Sequence, residues 1–256
     1  MDITTITIKD ALDFLSEWRY PLILLLLASM TAVLTVLAIL AVLVTALVKS
    51  YALPPKKHPH GASAMFVLGS GGHTTELLGI VGQLDFAHYP IRTYVSFSGD
   101  KLSTVRALQL EKEKSSTSSS SAAPPSPPSS GRRRQSKVQT LELPRARNVG
   151  QSYFTSIFTS AVCGLECLFA VVKVQPDIVV CNGPGSCVLI CFAALLLRAS
   201  RIKLTRLVYV ESFARVNSLS LTGRILISMV DRFIVQWPSL AERYKDKGVE
   251  YFGILA

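Results

Sequence analysis

The sequence predicts an α/β protein: one apolar helix near the N-terminus, then a single lobe built on a parallel sheet. Three observations carry this. No charged residue occurs from Tyr20 to Val48, a run of 29 residues. Beyond residue 63, short apolar runs alternate with stretches of helical periodicity, as in a parallel sheet with crossover helices. The first of those apolar runs breaks into glycines where a helix should begin.

As a helix at about 1.5 Å per residue, the uncharged run reaches roughly 43 Å, more than the ~30 Å hydrocarbon core of a bilayer. Residues 21–48 therefore read as a transmembrane helix. A cleaved signal peptide fits poorly, because Asp2, Asp10, Asp13 and Glu17 make the preceding segment acidic and the run is too long. Lys49, Lys56 and Lys57 follow the run. The positive-inside rule then leaves residues 1–20 as a short lumenal tail and puts the larger part in the cytoplasm. Residues 49–63 form a basic, Pro-rich linker, and 64–256 the lobe.

Composition narrows the function. Only 17% of the 256 residues are charged, below the roughly 25% of soluble domains. With 49% hydrophobic residues, the chain is neither wholly soluble nor wholly disordered. The net charge of +10 fits nucleic acid, an anionic membrane surface or a phosphate-bearing substrate. Nucleic acid is not expected, since there is no basic recognition helix and no aromatic-plus-basic RNA platform.

The elements follow in order. Ala64–Leu68 reads as a buried strand, Gly69–His73 as a turn and Thr74–Gln83 as a helix. Ile91–Phe97 alternates like a strand. Asp100–Lys114 reads as a helix with Leu102, Val105 and Leu108 on one face. Ser115–Ser130 holds nine Ser and four Pro in sixteen residues and cannot bury enough apolar surface to order itself, so a disordered insertion is expected at about 111–137. Val138–Leu143 is the next strand. Gln151–Val172 is a long apolar helix, read either as core or as a surface resting on a bilayer. Asp177–Cys181 is a strand, Asn182–Gly185 a turn, and Ser186 can N-cap a helix to Arg198. Leu207–Val210 and Phe233–Gln236 are strands flanking a Leu219–Met229 helix. A helix from Pro238 and a strand near Tyr251 end the lobe.

The chemistry gathers at strand ends. In Phe66–Thr74 (FVLGSGGHT) the glycines let a ligand approach the backbone, and the helix start offers free N–H groups, so a phosphate or diphosphate is the natural guest of Gly69, Ser70, Gly71, Gly72 and Thr74. Dinucleotide and Walker patterns fail here, because Thr74 stands where either requires glycine. His73 could serve as a base or be a hydrogen-bonded structural residue. Glu211 ends LVYVE and could bind sugar hydroxyls, assist proton transfer or cap the next helix. Asn182, Gly183 and Gly185 end a third strand and line the same crevice. The cysteines sit in apolar runs without zinc-site spacing and read as buried core residues.

Five segments, LGSGGHTTELL, LPRARNVGQSYFTS, VVCNGPGSCVLIC, LVYVESFARVNSLSLTG and DRFIVQWPSL, occur in an order that closely resembles one family. It is the membrane-anchor subunit of the two-part UDP-N-acetylglucosamine transferase of asparagine-linked glycosylation. The resemblance implies a Rossmann-like lobe, like the acceptor half of a GT-B glycosyltransferase. It also implies addition of the second N-acetylglucosamine to dolichyl-diphosphate-GlcNAc on the cytosolic face of the endoplasmic reticulum, whose membrane is continuous with the nuclear one. The implied partner is a soluble catalytic subunit that holds UDP-GlcNAc and docks at Tyr251, Phe252, Gly253, Ile254 and Leu255. His73 and Glu211 are the implied candidates for chemistry, and no metal or cofactor is implied. The alternative is a purely structural scaffold for that partner.

Overall fold

The computed structural model describes residues 61–120, 136–147, 150–151 and 153–255, together with His58 and positions 21, 23–25 and 27–31. The chain divides into two units, Met1–Thr45 and Ala46–Ala256. In the first, the described residues are helical and exposed. Most of the expected 21–48 helix lies outside the described residues, and among those described no helix is long and apolar enough to cross a membrane.

The second unit is a seven-stranded, wholly parallel sheet. Its strands are β1 (Ser63–Val67), β2 (Ile91–Phe97), β3 (Lys137–Leu143), β4 (Ile178–Asn182), β5 (Arg206–Val210), β6 (Arg232–Val235) and β7 (Val249–Tyr251). They lie in the order β3-β2-β1-β4-β5-β6-β7. Helices α1 (Gly72–Gln83) and α2 (Lys101–Ser120) cover one face. Helices α3 (Tyr153–Val174), α4 (Ser186–Ala199), α5 (Leu221–Leu226) and α6 (Pro238–Arg243) follow later strands.

The unbroken apolar letters of β1 follow from this layering, because both faces of the strand are buried. Ala64 and Phe66 join Leu77, Val81 and Tyr94 beneath α1 and α2. Met65 and Val67 join Val179, Cys181, Leu207 and Tyr209 beneath α3 and α4. All five cysteines are free and buried, as expected. The chain turns one way from β1 to β2 and the other way from β4 to β5. The crevice beyond the carboxyl ends of β1 and β4 is thus the topological switch point, where open α/β sheets take their ligands.

Three elements differ from expectation. Helix α2 turns its apolar letters outward: Leu102, Val105 and Leu108 are exposed, whereas Ser103 and Ala107 are buried. A buried cation explains the inversion. Arg92 on β2 is met by the Glu111 carboxylate through two bonds of 2.7 Å, and the Tyr94 hydroxyl donates to the same carboxylate at 2.7 Å. An unpaired buried guanidinium would cost several kcal/mol, so the side of α2 that carries Glu111, with Ser103, Ala107 and Leu110, faces in. The helix also runs on to Ser120, so the segment from Glu111 begins as helix; residues 121–135 lie outside the described residues. Lastly, Gly185 occupies the N-cap of α4 and Ser186 its first turn, without a side-chain cap. Helix α5 is shorter than expected, but it is capped by Ser220, whose hydroxyl accepts from the Gly223 N–H.

Helix α3 has two apolar faces. Cys163, Cys167 and Val171 enter the core, while Phe158, Leu165 and Phe169 point out and are 75%, 59% and 67% exposed.

Candidate functional site

Strand β1 ends in Leu68, and the chain then turns through Gly69–Gly72 into α1. Gly71 has φ +63° and ψ −123°, a conformation open only to glycine. A side chain at Gly71 or Gly72 would meet nothing within 4 Å. The loop therefore leaves room above the first turn of α1, where N–H groups face outward and no acidic residue stands. The loop is braced from below. The buried Thr74 hydroxyl donates to the Gly69 carbonyl and lies 2.6 Å from the Ser103 hydroxyl. Ser103 donates in turn to Asp100 at 2.6 Å. Thr74, expected among the ligand-binding residues, thus spends its side chain on the loop itself.

His73 projects from the first turn of α1 toward the end of β4. Its Nδ1 lies 3.0 Å from Asn182 Oδ1. The other end of that amide donates to Glu76 Oε2 at 3.0 Å. A carboxylate only accepts, so Glu76 orients the Asn182 amide with its oxygen toward the imidazole. The His73 Nδ1–H donates to that oxygen, which leaves the Nε2 lone pair for another partner. Gly183 is required here: at φ +91° a Cβ would stand 2.3 Å from His73 Nδ1. Glu76 is held from its far side as well, accepting from the Ser212 hydroxyl at 2.9 Å and the Phe213 N–H at 3.2 Å. Three strand ends, those of β1, β4 and β5, are thereby joined in one relay.

Two expected site residues take different roles. Asn182 is fully buried and orients His73 rather than facing a ligand. Glu211 is also fully buried. One oxygen accepts from the Ser212 N–H at 3.1 Å. The other accepts from the Ser220 N–H and hydroxyl, both at 3.0 Å. The carboxylate holds the β5–α5 loop and has no surface left for a substrate. Of the roles open to Glu211 in the sequence, the structure realises one close to helix capping.

Beside the relay lies a cleft of about 260 Å³, lined by Ser70, Asp100, Arg145, Arg147, Pro184 and Gly185. Ser70 and Gly185 meet there as expected. The two arginines are not among the expected site residues, although they stand in the segment that follows β3, a strand ending at the same edge. Arg147 is additionally tied to the Gln151 carbonyl at 2.9 Å. Among the described residues no group of three or more His, Cys, Asp or Glu could hold a metal ion.

The predicted docking residues lie apart from this cleft. Tyr251, Phe252 and Ile254 are exposed. The Leu255 N–H donates to Gln236 Oε1 at 3.1 Å, and its carbonyl accepts from Gln83 Nε2 at 2.9 Å. Leu255 there edges an apolar groove of about 470 Å³ on the sheet face beyond α1, floored by Val180, Val208, Val210 and Ile234.

Comparison with known proteins bears on this arrangement. The sequence model of the family described as oligosaccharide biosynthesis protein Alg14 like matches residues 64–255. The UDP-N-acetylglucosamine transferase subunit ALG14 of Yarrowia lipolytica is 45% identical over 192 residues, covering 75% of this chain and 80% of that one. The corresponding subunit of Schizosaccharomyces pombe is 40% identical over 204 residues, covering 78% and 87%. That of Homo sapiens is 37% identical over 201 residues, covering 78% and 86%. Among solved structures, MurG of Acinetobacter baumannii aligns with a TM-score of 0.47 at 13% identity, over 70% of this chain and 42% of that one, so the chain spans less than half its length. With a family match over residues 64–255 and relatives of this similarity, the chain belongs to the Alg14-like family of oligosaccharide biosynthesis proteins.

Proposed function

We propose that this chain is the membrane-anchoring, acceptor-binding subunit of a UDP-N-acetylglucosamine transferase, the activity that its relatives' names carry. It adds the second GlcNAc to dolichyl-diphosphate-GlcNAc at the cytosolic face of the endoplasmic reticulum. A soluble catalytic subunit brings the UDP-GlcNAc. The N-terminal apolar run is the anchor. The segment from Tyr251 to Leu255, with Tyr251, Phe252 and Ile254 exposed beside its apolar groove, is where the partner docks.

The observation that carries this reading is the Glu76–Asn182–His73 relay beside the open glycine loop. The acceptor's diphosphate lies over Gly71 and Gly72 at the start of α1, within the field of Arg145 and Arg147. Its sugar 4-hydroxyl meets His73 Nε2, which takes the proton as that oxygen attacks the donor's anomeric carbon with inversion. UDP leaves on the partner's side. One α/β unit of this size is half of a two-lobed transferase, which is why a second chain is required.

The test is co-purification with the soluble partner from membranes, followed by transfer from UDP-GlcNAc to the lipid acceptor. The chain alone should transfer nothing and the pair should be active; transfer by this chain alone would overturn the division of labour. The burial of Glu211 favours the scaffold alternative for that residue, and His73→Ala separates the two readings. Unchanged turnover in an intact complex would leave a scaffold only.

A further inference from the structure

The docking segment and the candidate base stand far apart in the sheet. Tyr251 ends β7 at one edge, whereas His73 follows β1. Strands β4, β5 and β6 lie between them. Hydrogen bonds made just beyond the carboxyl ends of these three strands span the distance.

Gln236 directly follows β6 and is 1% exposed. Its Nε2 donates to the Glu211 carbonyl at 3.1 Å. A carbonyl only accepts, so the amide must turn its nitrogen to Glu211 and its oxygen away. That oxygen accepts from the Leu255 N–H at 3.1 Å. Both ends of the buried amide are used, and withdrawal of Leu255 would leave Oε1 without its donor.

The Glu211 carbonyl shares a planar peptide unit with the Ser212 nitrogen. The Ser212 N–H donates to Glu211 Oε1 at 3.1 Å, so the plane is held on both sides. The Ser212 hydroxyl donates to Glu76 Oε1 at 2.9 Å. From Glu76 the contacts pass through Asn182 to His73, each at 3.0 Å. Leu255 and His73 are therefore linked through Gln236, the Glu211–Ser212 peptide, Glu76 and Asn182. Glu211 and Asn182 are fully buried, so water does not compete for the middle of this chain. Its outer end differs. Phe252 and Ile254 are exposed, and Gly253 bends the segment at φ +89°. The surface a partner would cover is the solvent-facing end of a buried polar chain.

We infer that Gln236 is a positioning residue, coupling the seating of the soluble subunit on residues 251–255 to the alignment of His73. With the segment covered, Leu255 holds Gln236, and the chain holds the imidazole with Nε2 toward the acceptor hydroxyl. With the segment loose, Gln236 loses a partner and the restraint on the Ser212–Glu76 contact weakens. The base is then best aligned in the assembled enzyme. The inference rests on the docking and base assignments of the proposed function and adds the link between them.

The test uses the full chain co-purified with its soluble subunit, with transfer from UDP-GlcNAc to the lipid acceptor measured at saturating subunit. Gln236→Leu comes close to the native side chain in size and removes both of its hydrogen bonds. It should lower kcat roughly 2–30-fold and leave both KM values near those of the wild type. Ser212→Ala cuts the same chain and should act alike. The double variant should lose no more than the larger single one. In a His73→Ala background, Gln236→Leu should have no further effect, an outcome that damaged packing would not give. Wild-type kcat in the Gln236→Leu pair, or the same loss with and without His73, overturns the inference. Should Gln236→Leu fail to fold, Ser212→Ala carries the same two comparisons. Failure of the underlying assignments shows separately, without any change at Gln236. Wild-type turnover in the His73→Ala pair removes the base, and assembly that survives alanine at Tyr251, Phe252 and Ile254 together removes the docking segment; either takes the inference with it.

Discussion

His73 matters through its neighbours. The imidazole is aimed by Asn182, and Asn182 by Glu76, so the three residues should fail together but unequally. His73→Ala should lower turnover roughly 10²–10⁴-fold, the usual worth of a positioned base, with the complex still assembling. Glu76→Gln removes the pure acceptor that orients the amide and should cost less than His73→Ala, mainly in kcat. If Glu76→Gln leaves kcat untouched in the transfer assay, the relay has no part in the chemistry. The histidine can be found in the sequence because glycines and a strand end mark its position. Glu76, one turn further along α1, carries no such mark. Its significance arises from Asn182 and Ser212, which lie 106 and 136 residues away. Arg145 and Arg147 are obscured for the same reason. Glu211 misleads because a strand-end carboxylate looks alike in sequence whether it faces the crevice or the following loop.

At the scale of elements, apolar or alternating runs locate every strand to within one or two residues, and the unbroken run of β1 reflects its burial on both faces. The orientation of α2 cannot be read that way. Its spacing of Leu102, Val105 and Leu108 obeys the helical period, yet the buried pair between Arg92 and Glu111 sets which side turns inward. Glu111→Ala should therefore destabilise the lobe by about 3–5 kcal/mol, since it strands a buried guanidinium; urea unfolding measures this. The exposed Val105→Ala change should cost almost nothing in the same experiment. The loop held by Glu211 gives a second contrast. Ser220→Ala removes both the α5 cap and a donor to that carboxylate, and should cost about 1–2 kcal/mol.

For the molecule as a whole, acid sensitivity follows from Asp177. Burial would raise its carboxyl, but the Lys203 ammonium at 2.5 Å and the Ser63 N–H and hydroxyl outweigh it and hold the group below the usual carboxylate range. The folded value is depressed, so the contribution is present above the ordinary value of about 3.9 and is lost as pH falls through the folded one. The unfolding temperature of the wild type should thus fall more steeply below about pH 4 than that of Asp177→Asn; parallel profiles would refute the assignment. The strand order also has a temporal side. His73 and Asn182 are separated by 109 residues, and β1 keeps one bare edge until β4 arrives to fill it. At typical synthesis rates of ~5–20 residues per second, that vacancy persists for about 5–20 s on the ribosome. During this interval the nascent chain exposes an unpaired apolar strand, so the crevice where the chemistry gathers is also the seam at which biosynthesis is most open to mispairing and most in need of chaperone cover.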